Sequence, residues 1–393
     1  MKYSNRLKHR LLVWVAHILG KLGFAGGVRG VPMMLAGIYV SHLQKRDSYV
    51  ILDEGFDDVV WSTFQRELKS LTLPKGVSRD VVPETTSWCR DAIGVHKDVL
   101  LVGIHPTAFS VQGKCCCSFR YGPMKPFEKG HLRSTDLLSV ENWIAGRQLN
   151  VIKVNKAIVL DEQMGHFGHW VFEQLPQLRL MQDRRDVHVI YNGMDVWKRT
   201  LLLDFGWPED HLLPYHGDEI FKVDELWGTN AGHLNKKDLG WLRKTALSSY
   251  GKDDAAPKRL FVSRQGIGTR MIANFESIRP VLTDFDICVV QPESLGIKNA
   301  VRLFANAEFI IGPEGSGIRN MVWSEMAKVI EIFGHEVNYG QWSLAHALGF
   351  DYVPYLEDRE VPSTSERWRD LDASGIFVNP DNLREFLSLN LRA

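Results

Sequence analysis

The chain contains few cysteines, and their spacing is unlike that of a disulfide-bonded or zinc-binding protein. There are five among 393 residues, and three of them are adjacent: Cys89, Cys115, Cys116, Cys117 and Cys288. Adjacent cysteines do not make a disulfide framework, and no finger-like spacing completes a tetrahedral zinc set around them. We therefore exclude a small disulfide-stapled fold and expect a reducing, cytoplasmic location.

The chain also lacks a net charge, an internal repeat and a long low-complexity segment. Its 47 lysines and arginines balance 47 acidic residues, which argues against a nucleic-acid-binding or a disordered protein. No complete GxGxxG motif with a downstream acid opens either half, so a dinucleotide-dependent dehydrogenase is disfavoured. The length is typical of a protein with two domains.

Acidic residues are absent from residues 1–46, which contain eight lysines and arginines. Residues 11–20 are apolar, but Lys21 interrupts the run before the roughly 18 to 20 residues that a membrane span needs. A basic amphipathic segment over 1–48, lying on an anionic membrane surface, fits this pattern. An ordinary surface helix and a marginal signal anchor stay open, whereas no small-residue cleavage site indicates a cleavable signal peptide.

A polar linker at 250–257 separates two stretches that alternate between strand and helix patterns. Beyond the linker, helical spacing around Ile278, Ala300 and Met321 falls between four short apolar runs at 259–263, 285–290, 308–311 and 328–333. Such alternation predicts a parallel sheet covered by helices. The front half shows strand patterns at 99–103, 152–160 and 187–191 and helical patterns at 170–181 and 197–205. We expect α/β domains at 49–250 and 257–356, followed by a tail, 357–393.

The tail ends in a predicted helix. Asn379 suits the N-cap and Pro380 the first helical position. Leu383, Phe386 and Leu387 then fall on one helical face. We therefore predict a terminal helix from about Pro380 that packs against one of the two domains.

A glycine-rich turn follows the apolar run at 308–311, with Gly312, Glu314, Gly315, Ser316 and Gly317 in close succession. Glycines allow sharp turns and close backbone approach, and the amides that begin the next helix favour an anion such as a diphosphate. The alternative is a plain structural turn.

Another strand pattern ends at Ser263 and Arg264, with Arg270 a few residues beyond. Arginine forks suit phosphate oxygens, and the carboxyl ends of parallel strands meet at one edge of a sheet. We expect these side chains and the glycine turn to converge there. A solvated charged loop is the other interpretation.

A third segment places His166, His169 and Glu173 at positions i, i+3 and i+7, where they share one helical face. Pro176 is expected to kink or end that helix. A histidine beside a carboxylate can take a proton from a sugar hydroxyl near neutral pH. Structural histidines are the alternative, and a metal site is less favoured because no third ligand can be nominated.

Three motifs in this order resemble glycosyltransferase family 61, which includes capsular and exopolysaccharide biosynthesis proteins. The resemblance spans about 155–332 and lies in Gly168, His169, Trp170, Glu173, Leu175 and Pro176; in Leu260, Phe261, Val262, Ser263 and Arg264 with Arg270, Asn274 and Glu276; and in 312–320 followed by 329–332. One position departs from it, because Glu314 stands where family members commonly carry histidine. A carboxylate there would repel a diphosphate unless it meets hydroxyl groups instead.

The resemblance implies a GT-B fold, in which two Rossmann-like domains face each other across a cleft and the second binds the nucleotide sugar. It also implies inversion at the anomeric carbon. Because arginines and a helix end can neutralise the diphosphate, we expect no divalent metal to be required. The basic residues among 1–46 favour a lipid-linked glycan, rather than only a free glycan, as the acceptor, at the inner face of the cytoplasmic membrane. The implied catalytic residues are His169, Glu173 and His166. The implied donor-binding residues are Ser263, Arg264, Arg270, Asn274, Glu314, Gly315, Ser316, Gly317 and Asn320.

Two other functions stay open at this point. One is a polysaccharide-modifying transferase of another group, such as pyruvyl, on a similar scaffold. The other is a non-catalytic subunit that binds a sugar nucleotide or a glycan, which the acidic Glu314 motivates. The choice of donor distinguishes a pyruvyl-type transferase from a glycosyltransferase. Binding of a donor without either transfer or donor hydrolysis would favour the non-catalytic subunit.

Overall fold

The computed structural model describes residues 48–60, 78–79, 85–102, 107–110, 150–160, 167–216, 219–229, 236–334, 336–337, 340–356 and 375–391. The basic segment 1–46, the cysteines at 115–117 and His166 lie outside these residues. The chain forms two compact units, residues 1–57 with 88–233 and residues 58–87 with 234–393.

The strands in chain order are β1 (Ser48–Val60), β2 (Ser78–Arg79), β3 (Thr85–Val102), β4 (Thr107–Ser110), β5 (Asn150–Leu160), β6 (His188–Asn192), β7 (Leu212–Tyr215), β8 (Glu219–Thr229), β9 (Arg259–Val262), β10 (Cys288–Val290), β11 (Phe309–Pro313), β12 (Lys328–Ile332), β13 (Glu336–Val337) and β14 (Asp351–Tyr355). The α-helices are α1 (Val196–Asp204), α2 (Lys236–Tyr250), α3 (Phe275–Asp284), α4 (Pro292–Phe304), α5 (Gly340–Leu348) and α6 (Pro380–Asn390). A helical segment of mixed geometry covers residues 167–181, and further short 3₁₀ helices lie at Glu209–His211 and Ser316–Trp323.

The first unit is built on a mixed sheet in the order β1-β3-β8-β5-β6-β7, with β4 paired to β3. Strands β8, β5, β6 and β7 run parallel to one another. Strand β3 is antiparallel to β8 and β4. The sheet is therefore parallel at one end and antiparallel at the other, which departs from the purely Rossmann-like pattern that we expected.

Buried apolar side chains explain why the parallel strands form. Val154, Ala157, Ile190 and Phe221 belong to one core cluster. These positions sit in runs rich in Val and Ile, which are stiff at χ1 and suit a pleated, buried surface. The strands predicted at 152–160 and 187–191 are confirmed within a residue or two.

The second unit contains a five-stranded sheet in the order β10-β9-β11-β12-β14. Every pairing in it is parallel. Helices α3 and α4 connect β9 to β10 and β10 to β11 along the chain, as the alternating pattern predicted. A separate two-stranded parallel pair, β2 with β13, also belongs to this unit.

The terminal helix α6 confirms the predicted cap. The Asn379 side chain accepts hydrogen bonds from the backbone N–H groups of Asp381 and Asn382, and Pro380 begins the helix. Leu383 and Leu387 are buried in the core of the second unit, and Arg384 forms an ion pair of 2.7 Å with Asp284 on α3.

The division between the units falls between His233 and Leu234, ahead of the predicted linker at 250–257. Helix α2 belongs to the second unit because it packs against α4, α5 and the 3₁₀ helix Ser316–Trp323. Arg243 on α2 donates a hydrogen bond of 2.7 Å to the carbonyl of Val322. Among the described helices, none combines the length and the apolar character that crossing a bilayer requires.

Candidate functional site

A histidine–carboxylate pair lies in the helical segment 167–181 of the first unit. His169 Nδ1 is 2.7 Å from Glu173 Oε1, and the two side chains are 26% and 18% exposed. The carboxylate favours the imidazole tautomer with its proton on Nδ1, which makes Nε2 the nitrogen able to take a proton from a substrate. The predicted pairing of these two residues is therefore present in the fold.

The segment that carries this pair changes its helical geometry along its length. It begins as a turn of α-helix at Phe167–His169, continues as a π-helix at Trp170–Gln174 and ends as a 3₁₀ helix at Leu175–Met181. Pro176, which has no N–H to donate, lies where the π-helix gives way to the 3₁₀ helix, and the segment stays helical to Met181 instead of ending at the proline. Short π-helical stretches are frequent at functional sites because they redirect side chains.

Trp170 anchors this segment to the carboxyl end of β5. Its indole N–H donates a hydrogen bond of 2.7 Å to the carbonyl of Leu160, and the side chain is buried. The Trp197 ring contacts Trp170 edge-on, with ring centroids 5.2 Å apart. Lys198 is fully buried, forms an ion pair of 3.0 Å with Asp195 and has its ammonium within 5.7 Å of both indole centroids. These contacts fix the backbone from which His169 and Glu173 project.

The glycine-rich turn of the second unit follows β11 and lies against β9. Gly315 has φ 153° and ψ 174°, a conformation that is essentially restricted to glycine. A Cβ on Gly312 would come within 2.7 Å of the Val262 carbonyl oxygen. The turn therefore needs glycine for both backbone conformation and close approach.

The guanidinium of Arg264 packs directly on this turn, since a Cβ on Gly315 would overlap it. Arg264 is buried, and its Nε donates a hydrogen bond of 3.2 Å to the carbonyl of Thr269. The neighbouring Ser263 is also buried, and its hydroxyl accepts the backbone N–H of Gln265 at 3.2 Å. Ser263, Arg264 and the glycine turn thus converge at the carboxyl ends of two paired parallel strands, where open α/β sheets bind ligands.

Arg270 forms an ion pair with Glu314, the acidic residue of the turn. The amide of Gln341 donates a hydrogen bond of 3.3 Å to Glu314 Oε1, and Arg319 Nε donates one of 3.3 Å to Gln341 Oε1. Glu314 and Gln341 thereby connect Arg270 to Arg319 beside the glycine turn. The charge of Glu314 is directed at Arg270, so the acid is compatible with an anionic ligand in the same turn.

A fully buried carboxyl group, Glu331, lies on β12 in register with Gly312. Burial raises the pKa of Glu331 to about 8, although the Tyr352 hydroxyl, which it contacts, and the charge of Arg319 act in the opposite direction. The group is therefore largely protonated at neutral pH.

A pocket of about 590 Å³ opens beside Ser263 in the second unit. Its volume lies within the range of small-molecule sites. The residues that line it come from the ends of β9 and β10 and the starts of α3 and α4: Ser263, Gln265, Phe275, Glu276, Arg279, Val289, Val290, Gln291, Ser294 and Leu295. Ser263 lines this pocket and is followed in the sequence by Arg264, so the pocket lies next to the glycine turn's arginine.

Two of the predicted donor-binding residues make internal contacts in the fold. Asn274 uses both ends of its amide on the backbone of Val378, at 2.7 and 3.0 Å. Asn320 donates to the carbonyl of Gly317 and accepts from the indole of Trp323, both at 2.9 Å. Asn274 therefore ties α3 to residues that precede α6, and Asn320 braces the glycine turn. Ser316 is half-buried and begins the 3₁₀ helix.

Thr269, Gln341 and Tyr352 are among the residues of the site that had no role in the sequence analysis. Thr269 holds the Arg264 guanidinium through its carbonyl and hydroxyl oxygens, and its position between Arg264 and Arg270 is a signal that the sequence offers. Gln341 and Tyr352 reach the site from α5 and β14, and no local pattern indicates such distant contacts. Within the described residues, no group of three or more His, Cys, Asp or Glu side chains is arranged to hold a metal ion.

The chain was also compared with known proteins. No curated protein matches the chain. Residues 167–330 match the family model Glycosyltransferase 61, and this range contains the His169–Glu173 pair, Arg264, Arg270 and the glycine turn. The match supports glycosyltransferase family 61, and with it a glycosyltransferase activity, for this chain.

Proposed function

We propose that the chain is an inverting glycosyltransferase that moves a sugar from a nucleotide-sugar donor to the hydroxyl of a surface-polysaccharide or lipid-linked glycan acceptor. The proposal includes the GT-B arrangement that the family resemblance implies. The observation that carries it is the Arg264 guanidinium, which is buried, held by Thr269 and packed on Gly315. A fixed arginine fork on a glycine turn is suited to the two phosphate groups of a nucleoside diphosphate.

The donor occupies the second unit in this proposal. The nucleoside enters the pocket beside Ser263, and the diphosphate meets Arg264 and the backbone amides of 315–317. Arg270, oriented by Glu314, contributes a second positive charge near the leaving group. These cationic and amide groups stabilise the charge that grows on the diphosphate in the transition state, so the chemistry needs no divalent metal.

The first unit supplies the base. The acceptor oxygen forms a bond to the anomeric carbon while the bond between that carbon and the diphosphate oxygen breaks, and the electron pair leaves with the nucleoside diphosphate. The hydroxyl proton passes to Nε2 of His169, and Glu173 stabilises the resulting imidazolium. Attack from the side opposite the leaving group inverts the anomeric carbon.

The basic segment extends the proposal to the acceptor and the location. The basic residues among 1–46 are suited to an anionic membrane surface at the inner face of the cytoplasmic membrane, where lipid-linked glycans are assembled. The acidic Glu314 no longer favours a non-catalytic subunit, because its ion pair with Arg270 accounts for its presence in the turn.

The test is release of nucleoside diphosphate from a panel of nucleotide sugars, with and without a mixture of glycan acceptors. We expect one donor to be consumed, His169→Gln to lower turnover about 10²- to 10⁴-fold, as loss of a general base does, and donor binding to persist. His211→Gln, a change to a half-buried histidine elsewhere in the first unit, is the control. Absence of turnover with every donor, or full turnover in His169→Gln, would overturn the proposed roles.

A further inference from the structure

A second histidine–carboxylate pair follows strand β7 in the first unit. His216 Nδ1 is 3.2 Å from Glu219 Oε1, and the backbone N–H of His216 donates a hydrogen bond of 3.0 Å to the other carboxylate oxygen. Burial acts to raise the pKa of Glu219, but the hydrogen bonds from His216 outweigh it and the pKa is lowered. Glu219 is thus a fixed anion that orients the imidazole.

The ring of His216 is seated over Gly193, at the end of the neighbouring strand β6. A Cβ on Gly193 would come within 2.7 Å of His216 Nε2 and of the Pro214 side chain. Asn192 and Tyr215 are register partners, and the Gly193 N–H donates a hydrogen bond of 2.8 Å to the carbonyl of Tyr215. Glycine at 193 therefore makes the room in which the imidazole lies.

The imidazole is accessible at this position. Half of the His216 side chain, 52%, is exposed, whereas Glu219 behind it is 12% exposed. With the proton of the ring held on Nδ1 by the carboxylate, Nε2 carries the lone pair that can accept a hydrogen bond. An oriented acceptor of this kind matches a hydroxyl group of a ligand.

The pair lies at the edge of the sheet where ligands are expected. Strands β5, β6 and β7 are parallel neighbours, so their carboxyl ends share one edge. His169 and Glu173 lie beyond the end of β5, to which Trp170 is hydrogen-bonded. His216 directly follows the end of β7, and its partner Glu219 is the first residue of β8. Two oriented histidines therefore occupy the same edge of one sheet, separated by β6.

We propose that His216, held by Glu219 above Gly193, is a glycan-binding residue of the first unit whose Nε2 accepts a hydrogen bond from a sugar hydroxyl of the acceptor. The hydroxyl it binds belongs to a part of the glycan other than the one that His169 deprotonates. The inference rests on the proposed function in that it takes the acceptor to be a glycan. It adds a residue for acceptor recognition that lies apart from the catalytic histidine on the same sheet edge.

The experiment follows the histidine signals of the full chain, labelled with ¹³C,¹⁵N-histidine, during titration with methyl glycosides of glucose, galactose, mannose, N-acetylglucosamine and xylose. The His216 signals are assigned by their loss in His216→Gln. We expect them to report a proton on Nδ1 and to move with at least one glycoside. Affinity, measured by saturation transfer to the glycoside, should fall about 3- to 10-fold in His216→Gln, the effect of one lost neutral hydrogen bond.

Two further variants separate a binding role from a structural one. Gly193→Ala should displace the ring and weaken glycoside binding, while His211→Gln should leave it unchanged. His211 is a suitable control because it precedes β7 at the opposite edge of the same sheet, where its ring contacts that of His188. Unchanged His216 signals with every glycoside, or equal affinity in His216→Gln and the wild type, would overturn the inference.

Binding of uridine, guanosine and adenosine diphosphates to the same samples distinguishes this inference from the proposed function. Glycoside binding at His216 without binding of any diphosphate would support the glycan site and contradict the transferase. Diphosphate binding without any glycoside response would leave the donor site in place and refute the role of His216.

Discussion

The guanidinium of Arg270 is ion-paired with the carboxylate of Glu314 beside the glycine turn, and Gln341 donates a hydrogen bond to the same carboxylate. Arg270 also has φ 54°, an uncommon conformation for a residue other than glycine. An arginine held in this way is oriented before any ligand arrives, so a diphosphate that binds here meets a fixed charge.

Replacing Glu314 with glutamine should destabilise the free protein and enlarge the response to a diphosphate. The neutral amide leaves the positive charge of Arg270 without its carboxylate partner, and Arg270 is only 28% exposed. We therefore expect the free energy of unfolding to fall by on the order of 1 to 3 kcal/mol. Thermal unfolding with and without uridine, guanosine or adenosine diphosphate measures both effects. Glu308→Gln breaks an exposed ion pair with Lys258 and should change little. A smaller diphosphate response in Glu314→Gln than in the wild type would contradict this account.

Replacing Arg264 with lysine should weaken diphosphate binding even though the positive charge is kept. Lysine cannot reproduce the planar fork that contacts Thr269 and the glycine turn. Charge-assisted hydrogen bonds contribute about 1.5 to 3 kcal/mol, so we expect a roughly 10- to 100-fold higher Kd by calorimetry. Arg384→Lys, at an exposed arginine on α6, is the matched control. Equal affinity in Arg264→Lys and Arg384→Lys would remove Arg264 from the donor site.

Replacing Gly315 with alanine should abolish diphosphate binding and lower stability. The new Cβ would overlap the Arg264 guanidinium and require a backbone conformation that alanine rarely adopts. Gly251 provides the comparison, since it also has a positive φ, 72°, but has no atom within 4 Å of a Cβ. Gly251→Ala should therefore show only the backbone cost of about 1 kcal/mol. Chemical denaturation together with diphosphate titration tests both variants, and intact binding in Gly315→Ala would argue against the turn as a phosphate site.

Stability should depend on the ionisation of Glu331 between about pH 4.5 and pH 8. The folded-state pKa is raised to about 8, so the folded protein holds a proton that the unfolded chain releases from about pH 4.5 upward. The contribution of Glu331 to the free energy of unfolding is thus fully present below pH 4.5 and is lost as the pH rises through 8. The free energy of unfolding falls by up to a few kcal/mol over this range. Glu331→Gln should flatten this part of the profile of unfolding free energy against pH. A parallel profile in the variant and the wild type would contradict the assignment.

The sequence predicts the second unit better than the first, for a physical reason. Strands such as Arg259–Val262 and Phe309–Pro313 are buried on both faces of a parallel sheet, so they read as continuous apolar runs between helical patterns. In the first unit, β8 pairs with the antiparallel strand β3, and local sequence patterns do not reveal a pairing between segments so far apart in the chain. The terminal helix was predictable because Asn379 and Pro380 provide a local cap.

The candidate site also combines contacts that the sequence predicts with contacts that only the fold reveals. The His169–Glu173 pair was predictable because its members are four residues apart on one helical segment. The Arg270–Glu314 ion pair and the contact of Tyr352 with Glu331 join residues from distant parts of the chain, and no spacing rule connects them. His216 and Glu219 are close in sequence, but only the fold shows that Gly193 makes room for the imidazole.

Thermal unfolding of the full chain with a panel of nucleotide sugars and nucleoside diphosphates, with and without a chelator, measures whether Arg264 and the glycine turn bind a nucleotide sugar. We expect one nucleotide sugar and its diphosphate each to raise the Tm, the chelator to change neither shift, and Arg264→Lys to reduce both. No shift with any nucleotide, or an equal shift in Arg264→Lys, would contradict a nucleotide-sugar site at Arg264 and the glycine turn.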